Sequence, residues 1–372
     1  MRPRLGLLVA VLLLGCVGLA PAPAPAQRDD ALRLPPGFSI DVFAKDIGRA
    51  RFLAIDPRGT LLVSIPRSGR VVALPDLDGN GRADRVVPVI EGLDLPHGIA
   101  FHDGVLYIAE TGRVIRVRYD PATQRAVGAP DVVVPDIPAR GGHWTRTIAF
   151  GPDRGLYLSV GSSCNNCEER DRRRAAITRY NADGSGETQF ATGLRNAVGL
   201  AFRPGSGELW ATVNGRDWLG DERPPEYLTR IEKGGFYGWP YCYWEDGRVV
   251  PDPDLGRQDR CQSVARPTIL YQAHSAPLGM AFYTESQFPA EYRGSLFVAL
   301  HGSWNRAVPT GYKVIRVRFD GGAPRAEDFA TGWLVGREAW GRPVDLAVAR
   351  DGSLLLSDDA QGVVYRISYR GS

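Results

Sequence analysis

Short apolar runs recur along this chain in pairs, each pair split by a Gly, Asp or Pro turn. The clearest copies are F-L-A-I-D-P-R-G-T-L-L-V-S at Phe52–Ser64 and H-G-I-A-F-H-D-G-V-L-Y-I-A at His97–Ala109. T-I-A-F-G-P-D-R-G-L-Y-L-S follows at Thr147–Ser159, then V-G-L-A-F-R-P-G-S-G-E-L-W-A-T at Val198–Thr212. The last two are L-G-M-A-F-Y at Leu278–Tyr283, leading to S-L-F-V-A-L-H, and V-D-L-A-V-A-R-D-G-S-L-L-L-S at Val344–Ser357. Strand, turn, strand is the pattern of an antiparallel hairpin. Several copies continue into a third alternating run, as in V-I-R-V-R-Y at Val114–Tyr119 and V-I-R-V-R-F at Val314–Phe319.

Six such units predict an all-β, six-bladed β-propeller of four-stranded antiparallel blades. F-S-I-D-V-F-A at Phe38–Ala44 alternates as a strand and is expected to complete the last blade, leaving no open edge. The long gap between the fourth and fifth copies, Asp217–Gln272, is expected to form surface loops.

The N-terminus breaks the pattern. Arg2 and Arg4 precede an apolar run from Leu7 to Leu14, then small residues and Ala24-Pro25-Ala26. This is the layout of a secretory signal, so residues 1–26 are read as a signal peptide and 27–372 as one propeller domain. A second reading takes Leu13-Leu14-Gly15-Cys16 as a lipoprotein box, with a lipid anchor on Cys16. Either way the mature protein is expected in the periplasm or secreted, with no membrane span. The balance of 45 basic and 42 acidic side chains leaves no electrostatic footprint for nucleic acid.

Cysteine usage agrees with export. Beyond Cys16 there are Cys164 and Cys167, in C-N-N-C, then Cys242 and Cys261. Four cysteines allow three pairings and the sequence does not choose among them. Local pairing is the expectation, because Cys242 and Cys261 bracket a polar loop. A zinc site lacks its second C-x-x-C, and Glu168 stands where covalent haem attachment needs His.

In a propeller the first strand of each blade lines the axis, so residues just before it gather at one channel mouth. Those positions hold Arg49 and Arg51, His97, His143, Arg195 and Asn196, His274, and Arg342. His301 ends the strand after His274, so four of the five histidines share this arrangement. Arginine forks suit a multiply anionic planar ligand, and a histidine suits proton removal from a hydroxyl. Any one of these histidines could instead be a capped turn residue.

The chain resembles the soluble quinoprotein sugar dehydrogenases, and more closely the bacterial L-sorbosone dehydrogenase-like group. The resemblance runs from about Leu34 to Tyr369. It is carried by L-P-P-G-F, by G-L-R-N-A-V-G-L-A-F at Gly193–Phe202, and by K-G-G-F-Y-G-W-P at Lys233–Pro240. H-G-S-W-N-R at His301–Arg306 and G-R-P-V-D-L-A-V at Gly341–Val348 add to it. It implies pyrroloquinoline quinone (PQQ) and Ca²⁺ at the channel mouth. The implied reaction oxidises a sugar hydroxyl or aldehyde hydrate by hydride transfer to the quinone, with electrons passing to an unidentified acceptor. By resemblance His143, in G-G-H-W-T-R-T, is the catalytic base and Arg195 polarises the quinone. Asn196, His97, His274, His301 and Arg342 fall among the expected cofactor contacts.

Gly220 and Asp221 stand where backbone carbonyls bind the cofactor's calcium in similar enzymes, and Glu226 and Tyr237 match a further ion. The glucose-oxidising relatives carry Lys at the place of His301, Arg at Val344, a Gly-Pro calcium pair, and a hydroxyl residue at His274.

Asp76, Asp78, Asn80 and Asp84 also place oxygens at positions 1, 3, 5 and 9 of a calcium-type loop, although Val87 occupies the position of the bidentate Glu. An Asx-rich turn is the competing reading. Two other functions remain open at this stage: a lactonase-type propeller hydrolase, and a sugar- or protein-binding propeller without cofactor.

Overall fold

A computed structural model describes residues 28–371. The signal segment, the lipoprotein box and Cys16 lie outside the described residues. Six four-stranded antiparallel blades form the ring, as the repeats predict. Their first strands are Leu53–Ile55, Ile99–His102, Arg146–Phe150, Asn196–Phe202, Pro277–Phe282 and Pro343–Val348.

Closure comes from the strand at Phe38–Ala44, which pairs antiparallel with Val363–Tyr369 as the outer strand of blade six. Phe38 faces Tyr369 and Ile40 faces Ile367. The Phe38 ring also meets Phe288, Tyr292 and Phe329 edge-on at 4.8–5.1 Å. The N-terminal strand therefore grips blade five as well as blade six.

Between successive blades lie separate apolar clusters, and a small axial one of Phe52, Val198, Leu278 and Val344 plugs the channel. The Ser or Thr that ends several repeats has a specific task. Ser159 Oγ donates to Ala197 O, Thr212 Oγ1 to Leu278 O and Ser357 Oγ to Arg51 O, each at 2.6 Å and each reaching the next blade. These bonds satisfy carbonyls that the close approach of the axial strands hides from water. The approach is tight enough that a Cβ on Gly199 would lie 2.2 Å from Leu278 O, and one on Gly279 1.8 Å from Asp345 Oδ1. The Gly in V-G-L-A-F and L-G-M-A-F is thus a packing requirement.

The stretch 217–272 differs from the expected loops. It contains the third and fourth strands of blade four, Glu226–Ile231 and Ile269–Tyr271. It also holds a hairpin, Cys242–Glu245 with Arg248–Pro251, and a helical turn at Gln258–Cys261. Gly235–Phe236 adds a parallel fifth strand to blade three. Outer strands carry no axial motif, so a repeat search built on the inner hairpins passes over them. Both disulfides are local: Cys164–Cys167, and Cys242–Cys261 across the hairpin insertion. Among the described residues no helix is long and apolar enough to cross a membrane.

The grip of Phe38 yields a first prediction. Phe38→Ala should lower unfolding stability by about 2 kcal/mol, less than a fully buried Phe loses because this ring is only half-buried. Chemical denaturation with intact disulfides measures it. A loss under about 0.5 kcal/mol, the scale of an ordinary surface substitution, would mean that the N-terminal strand does not hold the ring shut.

Candidate active site

Strand entry in the first strand and strand exit in the second lie at the same end of an antiparallel hairpin. Residues flanking these two points therefore converge at one mouth of the channel. They line a cavity of about 470 Å³, floored by Val198 and Leu278 of the axial plug. That size falls within the range of small-molecule and cofactor sites, roughly 300–1,000 Å³.

His143 reaches the cavity from the loop before blade three. Its Nδ1 lies 2.9 Å from Ser162 O and 3.0 Å from Ser162 Oγ. A carbonyl oxygen only accepts, so Nδ1 carries the proton and Nε2 keeps the lone pair. Burial lowers the imidazole to about 3, and Arg195, Arg174 and Arg146 add to the effect against the Ser162 hydrogen bond. The ring stays neutral across the physiological range and keeps a lone pair on Nε2, for which no hydrogen-bond partner stands among the described residues.

Two buried cations hold the loop that presents it. Arg146 donates to His143 O at 3.0 Å and to Pro138 O at 2.6 Å, while Arg174 donates to Gly161 O at 3.0 Å and Pro138 O at 2.6 Å. Among the described residues neither forms an ion pair with a carboxylate. Burial and the neighbouring Arg174 pull Arg146 down to about 9.

Arg195 sits beside His143, 6% exposed and tied down on every nitrogen. Its Nε donates to Asn165 O at 3.0 Å, and its Nη2 bonds Asn165 Oδ1 and Asp217 Oδ2, both at 2.9 Å. Asn196, next along, has its Oδ1 buried without a partner. Gly161 makes the packing possible, because a Cβ there would lie 2.4 Å from Asn196 Oδ1 and 2.7 Å from His143 Cβ.

On the opposite wall Arg342 donates to His301 O at 3.2 Å and Gly302 O at 2.6 Å. Asp359 bridges Arg51 Nη1 and His301 Nε2, each at 2.8 Å. Burial disfavours its charge, but His301 and Arg51 outweigh that and hold the carboxyl well below the usual range. Burial likewise brings His301 down to about 4, against the pull of Asp359. Arg51 also faces the Trp144 ring at 5.7 Å.

His274 lines the cavity too, in a left-handed backbone conformation (φ +68°) shared by Ala276 (+53°). Such strained residues persist where surrounding contacts over-determine them. His301 N bonds Ala276 O and Gly302 N bonds Ser275 O, both at 2.9 Å, and Glu226 accepts from Ala276 N. Glu226 is buried at the cavity wall, and desolvation raises it to about 8, so it is protonated at neutral pH. The lining then sets five arginines, Arg49, Arg51, Arg67, Arg195 and Arg342, against Asp217 and Asp359. The site is built for an anion.

Three expectations are corrected. His97 does not line the cavity: it is fully buried between Phe52 and Trp144, its Nδ1 3.2 Å from Arg146 O, and it acts as packing beneath the site. Gly220 and Asp221 do not offer free carbonyls: His274 Nε2 bonds Gly220 O at 2.9 Å, and Arg306 donates to Asp221 O. A guanidinium there opposes a cation, so the calcium expected at this pair does not fit. Tyr237 is spent on the Arg230–Glu232 turn, donating to Arg230 O at 2.9 Å. Asp76, Asp78 and Asp84 do bring oxygens within 4.8 Å of one another, outside the cavity lining, and accept from the amides of Leu77, Asn80 and Gly81 as an Asx turn does.

Asp217, Trp144, Asn305 and Asp359 were not singled out in the sequence. Asp217 and Asp359 follow the second strands of their blades, and the same-end rule applied to strand exits would have found them.

A cationic axial cavity, a neutral histidine at its wall and the unpartnered amide oxygens of Asn196 and Asn305 define a class of propellers with a polar axial pocket. Within it, the chain belongs to the TrAA12-like family, which matches residues 32–370. An uncharacterised protein of Borreliella burgdorferi is 29% identical over 366 residues, covering 93% of each chain. The pyrroloquinoline quinone-dependent pyranose dehydrogenase of Coprinopsis cinerea is 29% identical over 415 residues, covering 93% of this chain. This chain spans 55% of that protein's length. The solved holo form of the PQQ domain of Coprinopsis cinerea pyranose dehydrogenase superposes with a TM-score of 0.78 at 25% identity, covering 93% of this chain and 98% of that one. These likenesses reach PQQ-dependent sugar dehydrogenases as a group and not the L-sorbosone subgroup.

Glu226 makes the site's pH behaviour testable. Its folded value lies above the unfolded one, so its contribution is full below the ordinary carboxyl range and is lost as pH rises towards about 8. Glu226→Gln, which keeps the acceptor for Ala276 N, should make the fall of Tm between about pH 5 and 8 shallower. Parallel Tm–pH curves for the two proteins would contradict a buried, protonated Glu226.

Proposed function

We propose that this chain is an exported quinoprotein dehydrogenase that holds PQQ in the axial cavity and oxidises a sugar. The observation that carries this reading is His143, neutral, with Nδ1 fixed by Ser162 and its Nε2 lone pair left for the cavity beside Arg195. The relatives' names add the cofactor and the substrate class.

The residues present fit the cofactor. Arg51 and Arg342 would offer guanidinium donors for its carboxylates, and Arg195 would polarise a quinone oxygen. The unpartnered Oδ1 atoms of Asn196 and Asn305 would accept from N–H or O–H groups of a bound ligand. When bound, PQQ supplies the acceptor for the two electrons that leave the sugar carbon. His143 Nε2 takes the hydroxyl proton, and the proton on Nδ1 stays on the ring, donated to Ser162 O, which stabilises the imidazolium as it forms. The electrons would then pass to an acceptor that is not identified.

Within that class the substrate is a pyranose or a sugar aldehyde such as a sorbosone, oxidised as its hydrate. The enzyme works in the periplasm or outside the cell. A lactonase-type hydrolase fits less well, because it needs carboxylates free to hold an axial metal. Here Asp217 is paired with Arg195, and Asp359 with Arg51 and His301.

Reconstitution of the mature protein with PQQ, followed by dye reduction on aldoses, ketoaldehydes and polyols, tests the proposal. Saturable binding with turnover supports it, and no binding at micromolar quinone sinks it in favour of a binding propeller. In the reconstituted enzyme His143→Ala should lower turnover by about 10²–10⁴-fold while cofactor affinity stays within a few-fold. Arg342→Ala should do the reverse, weakening PQQ binding more than the turnover of bound enzyme. Unchanged turnover in His143→Ala would remove that residue from the chemistry.

A further inference from the structure

The turn closed by Cys164–Cys167 touches both residues assigned to the chemistry. Ser162, two residues before it, holds His143 Nδ1 through its carbonyl and hydroxyl, and its own hydroxyl donates to Cys164 O at 2.6 Å. Gly142 N donates to Ser163 O at 2.7 Å, so the backbone next to His143 rests on the same segment.

Asn165, inside the disulfide ring, is a five-way bracket. Its carbonyl accepts from Arg195 Nε at 3.0 Å and from Trp239 Nε1 at 3.3 Å. Its Oδ1 accepts from Arg195 Nη2 at 2.9 Å and Asp217 N at 2.7 Å, and its Nδ2 donates to Asp217 O at 3.0 Å. Asn166 reaches the other way, to Asp252 Oδ1 at 2.9 Å, and Asp252 pairs with Arg216.

Global stability is a poor account of this disulfide. It joins residues three apart, against nineteen for Cys242–Cys261, and a short loop constrains the unfolded chain least. What it does is stiffen the few residues whose polar atoms face His143 on one side and Arg195 on the other.

We propose that the disulfide-closed turn Cys164–Cys167, with Asn165 within it, is a positioning device that sets His143 and Arg195 relative to each other. Opening it lowers turnover without unfolding the blade. Asn165 touches no cavity group other than Arg195 and Asp217, so it is a positioning residue. A dithiol in the surroundings would open the turn by taking the disulfide to two thiols and closing its own, and activity would then follow the oxidising state of the compartment. The turn is half-buried, within reach of such a reagent. The charged groups that face His143 are Arg195, Arg174 and Arg146, and displacement of Arg195 would change its titration.

The inference rests on the reading of His143 and Arg195 as the reacting pair, but its test does not need the cofactor. Two variants are compared with the parent protein: Cys164→Ser/Cys167→Ser, which keeps Cys242–Cys261, and Asn165→Ala, which keeps both disulfides. The imidazole ¹⁵N–¹H resonances of the cofactor-free protein are recorded across pH, with His143→Ala supplying the assignment. Both variants should stay folded by circular dichroism, lose the protected His143 Nδ1–H signal, and shift the His143 titration.

In reconstituted enzyme kcat should fall about 10- to 100-fold with KM for sugar little changed, since misplacement by about 1 Å costs up to about 10²-fold. Folded variants with an unaltered His143 signal and titration would overturn the proposal. If the parent protein never turns over with PQQ, the dehydrogenase reading fails while the resonance experiment still decides this one. Should the double variant fail to fold, Asn165→Ala carries the test alone.

Discussion

One strand pairing governs the rest of the molecule. Phe38–Ala44 lies beside Val363–Tyr369, and that contact turns a row of six sheets into a ring. An open row would bury its faces between neighbours but leave two terminal edges, and its first strands would not share an axis. Closure brings the first strands so near one another that the repeats must place Gly at Gly199 and Gly279 and hydroxyls at Ser159, Thr212 and Ser357. It also brings the loops before blades three, four, five and six to one mouth. His143, Arg195, His274 and Arg342 are distant in the chain and neighbours only because the ring is shut.

The mouth solves an electrostatic problem that the fold creates. Several guanidinium groups approach one cavity, where water is scarce and like charges repel. Arg146 and Arg174 are satisfied by carbonyl oxygens of the His143 loop, Arg195 by Asn165 and Asp217, and Arg51 by Asp359. Buried charge is tolerated when it is paired or fully hydrogen-bonded. What remains is a positive field with few carboxylates facing it, and that field does two things. It favours an anionic ligand, and together with burial it keeps His143 neutral. Arg195 belongs to both effects, since it lines the cavity and also acts on His143.

Departures from the glucose-oxidising relatives acquire physical meaning in this setting. His301, where those proteins carry Lys, bonds Asp359 and lets it bridge to Arg51. His274, where they carry a hydroxyl residue, spends its Nε2 on Gly220 O. Arg306 fills the neighbouring carbonyl of Asp221. The wall expected to present backbone oxygen to a metal is instead knitted together by side chains, so cation chemistry at that pair has no support in this chain.

The amino-acid sequence by itself determined the propeller, the blade count, the closing strand and most of the cavity ring, because these rest on local periodicity and on repeats that recur in register. It also placed His143, Arg195, Asn196, His274, His301 and Arg342 at one channel mouth, where they line a single cavity. Tertiary structure alone decided the remainder. His97 occupies the same place in its repeat as residues that face the cavity, yet Phe52 and Trp144 cover it, and side-chain packing has no signature in spacing. Asp217 and Asp359 became site residues through partners on a neighbouring blade, Asn305 and His301, 88 and 58 residues away along the chain. The blade-four strands within 217–272 and the tautomer of His143 likewise depend on pairing and contacts within a blade that the inner-hairpin motif does not record, whereas the disulfides are the local pairs expected from the sequence. A pattern read along the chain records which face each residue presents, and the three-dimensional fold decides what stands opposite it.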